Sequence, residues 1–180
     1  TSGAEIGLYN SIRGYSLNTI LPFFQVNSDG GSPILMANGA PVQKGNLIVD
    51  LLTVGSLPSS LTTTQAVYAY TETITVNSTI NHKLNSAGGT QGDVDLTLDA
   101  SKSVTINKAI GAGQDVLIFA NGTITTNVGG DVLSDTDKDG DGGIFIVNGS
   151  NVGGSTTMIA GNLATSTASS DDIQVIHNGI

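Results

Sequence analysis

The sequence predicts an all-β protein whose residues from about 71 to 180 stack as a β-solenoid. Three observations carry this. The composition favours strands and turns over helices. Short segments alternate apolar and polar residues. A strand-and-turn unit returns every twenty to thirty residues along the C-terminal part of the chain.

Only 12% of the residues are charged, yet mean hydropathy is just +0.13. Thr, Ser, Asn and 24 Gly fill the gap. Thr suits a pleated strand, and Gly, Asn and Ser suit turns. The same residues are poor inside helices, because short polar side chains compete for backbone hydrogen bonds and Gly is entropically costly there. Net charge is −9 with six Lys and Arg, too few cations to line a phosphate-binding surface. Nucleic acid and anionic membranes are therefore not expected partners. An excess of carboxylates is compatible with calcium, which takes hard oxygen ligands. With no Cys, disulfides, thiolate metal sites and Cys nucleophiles are excluded. No apolar run is long enough to span a bilayer as a helix. The chain starts at Thr1 with no visible signal peptide, so a processed form or a piece of a longer protein is expected.

Residues 1–70 carry no repeat and are expected to form a β-rich cap or a strand-exchange region. Four aromatics, Tyr9, Tyr15, Phe23 and Phe24, lie before about Pro41. Ile6, Tyr9 and Ile12 allow a short helix, which Gly3, Gly7 and Gly14 limit. Asp29-Gly30-Gly31-Ser32-Pro33 and Gly39-Ala40-Pro41 read as turns. Asn46 to Val54 is a nearly continuous apolar run and reads as a strand covered on both sides. Ser56 to Thr64 reads as a loop, and Ala66 to Tyr70 as a further strand.

The repeats follow. Glu72-Thr73-Ile74-Thr75-Val76-Asn77 returns thirty residues later as Lys102-Ser103-Val104-Thr105-Ile106-Asn107, and after twenty more as Gly122-Thr123-Ile124-Thr125-Thr126-Asn127. A second motif interleaves. Val94 aligns with Val116 at a step of twenty-two, then with Ile144 and Ile173 at steps of twenty-eight and twenty-nine. Val94, Leu96 and Leu98 alternate with polar residues, as do Val104 and Ile106, which is the pattern of a half-buried strand. One such unit cannot bury its own apolar face, but stacked units can. Asn77, Asn107, Asn127, Asn148 and Asn178 follow strands and are expected to adopt left-handed backbone and to form side-chain ladders. An antiparallel β-sandwich with similar hairpins is the alternative.

The run ITVNSTIN, followed by GDVDLTLDASKSVTINKAIGAGQDVLIFANGTITTN, resembles the filamentous-haemagglutinin-type repeats of large bacterial exoproteins. The resemblance covers about residues 72–130 and continues more weakly to Ile180. It implies a right-handed parallel β-helix, secretion and adhesion.

The sharpest chemical motif is Asp135-Thr136-Asp137-Lys138-Asp139-Gly140-Asp141. It matches the opening of a calcium loop, in which alternate carboxylates converge on one ion and a Gly allows the sharp turn. The expected ligands are Asp135, Asp137, Asp139 and Asp141. Ile146 stands where such a loop would place its bidentate Glu, so Asp131 or water would have to complete the set. The pairs Asp93/Asp95, Asp99/Asp115 and Asp171/Asp172 have the residue type needed for glycoside hydrolysis. They sit at strand edges, where Asp commonly caps. His82 and His177 lie in no nucleophile context and read as surface or turn residues. Sequons occur at Asn77, Asn121 and Asn148.

The expectation is therefore a non-enzymatic, secreted or cell-surface structural protein: an adhesin segment, stabilised by calcium, that binds a ligand on a host or neighbouring cell. The chain stops at Ile180 just after a strand motif. That motivates an alternative, a filament subunit that polymerises with copies of itself by N-terminal strand addition. A polysaccharide-active β-helix enzyme is the third reading.

Overall fold

The computed structural model describes residues 24–25, 35–36, 44–56, 60–61, 65–84, 94–140, 142–149, 155–165 and 173–177. Three parallel sheets dominate. The first stacks β3 (Leu47–Val49), β6 (Thr73–Val76), β10 (Ser103–Ile106), β13 (Thr123–Thr126) and β16 (Thr156–Ile159) in that spatial order. The second stacks β7 (Ile80–Asn81), β11 (Ile110–Gly111), β14 (Val132–Ser134) and β17 (Leu163–Thr165). The third stacks β5 (Gln65–Tyr70), β9 (Asp95–Ala100), β12 (Val116–Ala120), β15 (Ile144–Asn148) and β18 (Ile173–His177). The chain visits the three sheets in turn and returns one level higher, which makes a β-solenoid. A parallel pair joins β4 (Ser60–Leu61) to β8 (Lys83–Leu84), and β1 (Phe24–Gln25) pairs antiparallel with β2 (Leu35–Met36).

Alternation in the sequence becomes inside and outside here. Ile74, Val104 and Ile124 lie in one register column, and Val76, Ile106 and Thr126 in the next, all fully buried. Leu96, Val116 and Ile144 face them from the third sheet within the same apolar column. Thr126 is the polar exception. Its Oγ1 accepts the backbone N–H groups of Ala160 and Gly161 at 3.1 and 3.0 Å, so the buried hydroxyl is satisfied.

Four readings change. The Asn46–Val54 run is a strand only at Leu47–Val49. A short helix α1 (Leu51–Ser56) follows, because Asp50 caps it through Oδ1 to the Leu52 N–H at 3.0 Å. Val54 then packs against the base of the core, while Leu51 and Leu52 point to solvent. Leu47–Val49 and Gln65–Tyr70 thus form the lowest rung of the column, within the segment expected to act as a cap.

The second motif steps by twenty residues rather than twenty-two, since Val116 pairs with Leu96. Inward phase survives the two-residue shift because strand side chains alternate with period two. Third, β9 is buried throughout rather than on one face. Thr97, Leu117, Phe119 and Val147, on the outer side of the third sheet, are as buried as the inner residues, so this sheet is covered on both faces.

Fourth, the asparagines form a ladder without left-handed backbone. Asn107 Nδ2 donates to Asn77 Oδ1 at 2.7 Å, and Asn127 Nδ2 donates to Asn107 Oδ1 at 2.5 Å. Among the described residues, the non-glycine positive φ values fall at Asp135 and Lys138. Asn148 stands apart from this ladder. It is fully buried in β15, and its Nδ2 donates to the Gly122 and Thr156 carbonyls at 2.8 and 3.1 Å. Its side chain is thereby closed to glycosylation. Asn178 lies outside the described residues.

Candidate metal centre

The acidic loop leaves the second sheet after β14 and enters the third at β15. Its feet are tied to the rung below. The N–H groups of Asp135 and Thr136 donate to the Gln114 and Ala112 carbonyls at 3.4 and 3.1 Å. Gly143 N–H donates to Asp115 Oδ1 at 2.7 Å, and Ser134 Oγ to the Gly142 carbonyl at 3.3 Å. Gly142 has φ +124°, and an added Cβ would lie 2.6 Å from the Gln114 oxygen, so only glycine fits there.

Within the loop the chain coils on Asp135. Asp135 has φ +49° and Lys138 φ +68°. The Asp135 carbonyl accepts from Lys138 N–H at 3.1 Å, and its Oδ1 accepts from Gly140 N–H at 3.3 Å. This curl gathers one carboxylate oxygen from each of Asp135, Asp137 and Asp139 within 4.8 Å of one another. The three span a gradient from interior to solvent: Asp135 is fully buried, Asp137 half-buried and Asp139 exposed. Oδ1 of Asp137 is itself shielded from water. Converging carboxylates repel, and a hard divalent cation is the counter-charge that such an oxygen set suits.

Three of the four expected ligands therefore come together. Asp141 lies outside the described residues. Asp131 does not join the set, because its Oδ1 accepts the Asn162 N–H at 2.8 Å in the rung above.

Two of the carboxylates considered for acid–base chemistry, Asp95 and Asp115, act as staples between rungs. Asp95 Oδ1 accepts Asp115 N–H at 3.1 Å, and Asp115 in turn accepts Gly143 N–H. Asp99 sits on the outer side of β9, beside Phe119 in register. Asp93, Asp171 and Asp172 lie outside the described residues.

His82 is buried, contrary to its reading as a surface or turn residue. It stacks on Tyr68 with ring centroids 5.8 Å apart, and Tyr68 Oη lies 2.5 Å from His82 Nε2. Burial, with a smaller contribution from Tyr70, pushes the Tyr68 phenol up to about 12. The pair was legible only in hindsight: His82 is two residues beyond the inward Ile80, and so falls in phase with it. His177 is exposed on β18, with Nδ1 2.8 Å from Thr157 Oγ1.

Comparison with family models, with curated proteins and with solved structures finds no match for this chain.

Proposed function

We propose that this chain is a segment of an extracellular, non-enzymatic structural protein of the adhesin type, in which the solenoid is a rigid support for surface contacts. The observation that carries the reading is the continuous parallel stack, five strands deep in two of its sheets. Each level is fastened to the next by main-chain pairing, by the Asn77–Asn107–Asn127 ladder and by Asp-to-backbone bonds. Such a column keeps its form while loops of unequal length leave its surface. The test is adhesion. Beads coated with the purified chain should bind cultured cells or extracellular matrix above albumin-coated beads. Equal binding on every surface tried would remove the reading.

In the same proposal, Asp135, Asp137 and Asp139, with Asp141, hold calcium and brace the β14–β15 loop. Calcium should raise the melting temperature and EDTA should lower it, because an ion bound only by the folded state stabilises that state. A melting temperature indifferent to both would sink the calcium assignment.

A second reading, a subunit of an extracellular polymer, draws on the uppermost rung. Ile173 and Val175 stand in register above the buried Ile144 and Ile146, yet are 44% and 45% exposed. An edge of this kind accepts an added strand. Electron microscopy decides: filaments favour the polymer, isolated rods the adhesin segment.

A further inference from the structure

The chain carries three sequons, and the fold treats them differently. Asn148 is fully buried, and its Nδ2 is spent on the Gly122 and Thr156 carbonyls. Asn121 is half-buried, and so is Thr123, the hydroxyl residue of its sequon, which sits in β13 between Ser103 and Thr156. Asn77-Ser78-Thr79 lies in the turn from β6 to β7. Burial alternates along it: Asn77 and Thr79 are exposed and Ser78 is buried. Both residues that the motif requires thus reach solvent, and the residue turned inward is the one whose identity the motif leaves open.

The asparagine ladder leaves the same amide available. Asn107 Nδ2 donates to Asn77 Oδ1, and Asn127 Nδ2 donates to Asn107 Oδ1. Each upper member spends its nitrogen on the residue below. Asn77 is the lowest member, so its oxygen is held from above while its nitrogen meets no acceptor among the described residues. Its own N–H donates to the Val49 carbonyl at 2.7 Å, which pins the backbone. The amide is therefore held in place with its Nδ2 uncommitted, in an exposed side chain. Asn107 and Asn127 are followed two residues later by Ala109 and Gly129, which carry no hydroxyl. Uncommitted nitrogen and sequon coincide at one residue of the ladder.

We propose that Asn77 is the acceptor of an N-linked glycan, a proposal that rests on the extracellular reading above. In the transfer, Asn77 Nδ2 attacks C1 of a sugar carried on a pyrophosphate. The Nδ2–C1 bond forms and the C1–O bond breaks. The pyrophosphate leaves with the electron pair, and one amide proton passes to a base of the transferase. Asn77 Oδ1 keeps its lone pairs, so the glycosylated side chain still accepts from Asn107 and stays in the ladder. The same transfer to Asn148 would strip two carbonyls of a buried donor. The surroundings of Asn77 also suit a bulky polar addition. One level below, Val49 pairs with Val76, and helix α1 leaves that level carrying Leu51 and Leu52, 84% and 86% exposed. A glycan at this corner adds hydrated surface beside exposed apolar side chains.

The test uses the folded full chain, a soluble N-glycosyltransferase and UDP-glucose as the sugar donor, read by intact mass and peptide mapping. The wild-type chain should gain one hexose, on Asn77. Thr79→Ala should lose it with circular dichroism and urea midpoint unchanged, because the Asn77 amide and its ladder bond stay in place. Thr79→Ser should keep it. Should Thr79→Ala fail to fold, Thr79→Val takes its place. A folded chain left unmodified at Asn77, while a synthetic peptide of residues 72–84 gains the hexose, would overturn the proposal. A hexose on Asn121 or Asn148 in place of Asn77 would overturn it too. The assay needs no export, and the bead-adhesion assay uses the unmodified chain, so the two readings fail separately.

Discussion

Replacing Ile118 by Ala tests whether the three sheets share one interior. Ile118 is fully buried at the middle level of the third sheet, between Leu98 below and Ile146 above. Val175 lies in the same column two levels higher, but is 45% exposed. Truncating a fully enclosed Ile to Ala costs about 3–4 kcal/mol, from lost transfer energy plus the cavity left behind. Val175→Ala removes two methyl carbons that are already half in water, a cost of about 0.8 kcal/mol at the usual increment per buried carbon. Urea unfolding followed by circular dichroism should therefore show a drop at least three times larger for Ile118→Ala, roughly the ratio of the two estimates. Equal effects, or a loss below about 1 kcal/mol at Ile118, would refute a shared column, because that residue would then not be enclosed from above and below.

Three further outcomes follow from the same geometry. Asn107→Ala removes the central member of the ladder and both of its side-chain bonds, and chemical denaturation should show a loss of about 1–2 kcal/mol. Gly130→Ala would place a Cβ 2.1 Å from the Ile106 carbonyl oxygen and should abolish soluble expression; Gly111→Ala, whose nearest contact is the Thr136 Cγ2 methyl at 3.3 Å and whose nearest backbone atom is 3.7 Å away, should cost far less. Stability should also fall in alkali. The Tyr68 phenol is raised in the folded state, so its contribution is complete below the free value of 10.0 and is lost as pH rises to about 12. That loss amounts to about 2–3 kcal/mol, and Tyr68→Phe should flatten the alkaline limb of the stability profile.

Much of the column was written in the local sequence. The recurrence of Ile74 at Val104 and again at Ile124 names both the inward residues and their partners, because parallel stacking without a register shift makes equivalent residues neighbours. The Asn77–Asn107–Asn127 ladder follows from the same equivalence. The Asp135-x-Asp137-x-Asp139-Gly140 spacing likewise identified the carboxylates that the loop gathers, since alternate residues and one permissive turn suffice to bring them together.

Tertiary structure decided what depends on neighbours distant in sequence. Alternation along β9 says which side chains face inward, but not whether the outer face is covered, so Thr97 and Phe119 gave no sign of their burial. Pairing Leu96 rather than Val94 with Val116 keeps the same inward phase, and period two alone cannot separate registers that differ by two residues. The helix after Val49 was set by the Asp50 cap and by the need to cover the base of the core, neither of which hydropathy reports. Asp131 was claimed by Asn162 of the next rung rather than by the acidic loop, because a backbone N–H without a strand partner takes the nearest carboxylate. Composition and periodicity thus determined the stack and its inward face. Burial of the outer faces, the exact register and the partners of each polar group emerged only when successive rungs were laid on one another.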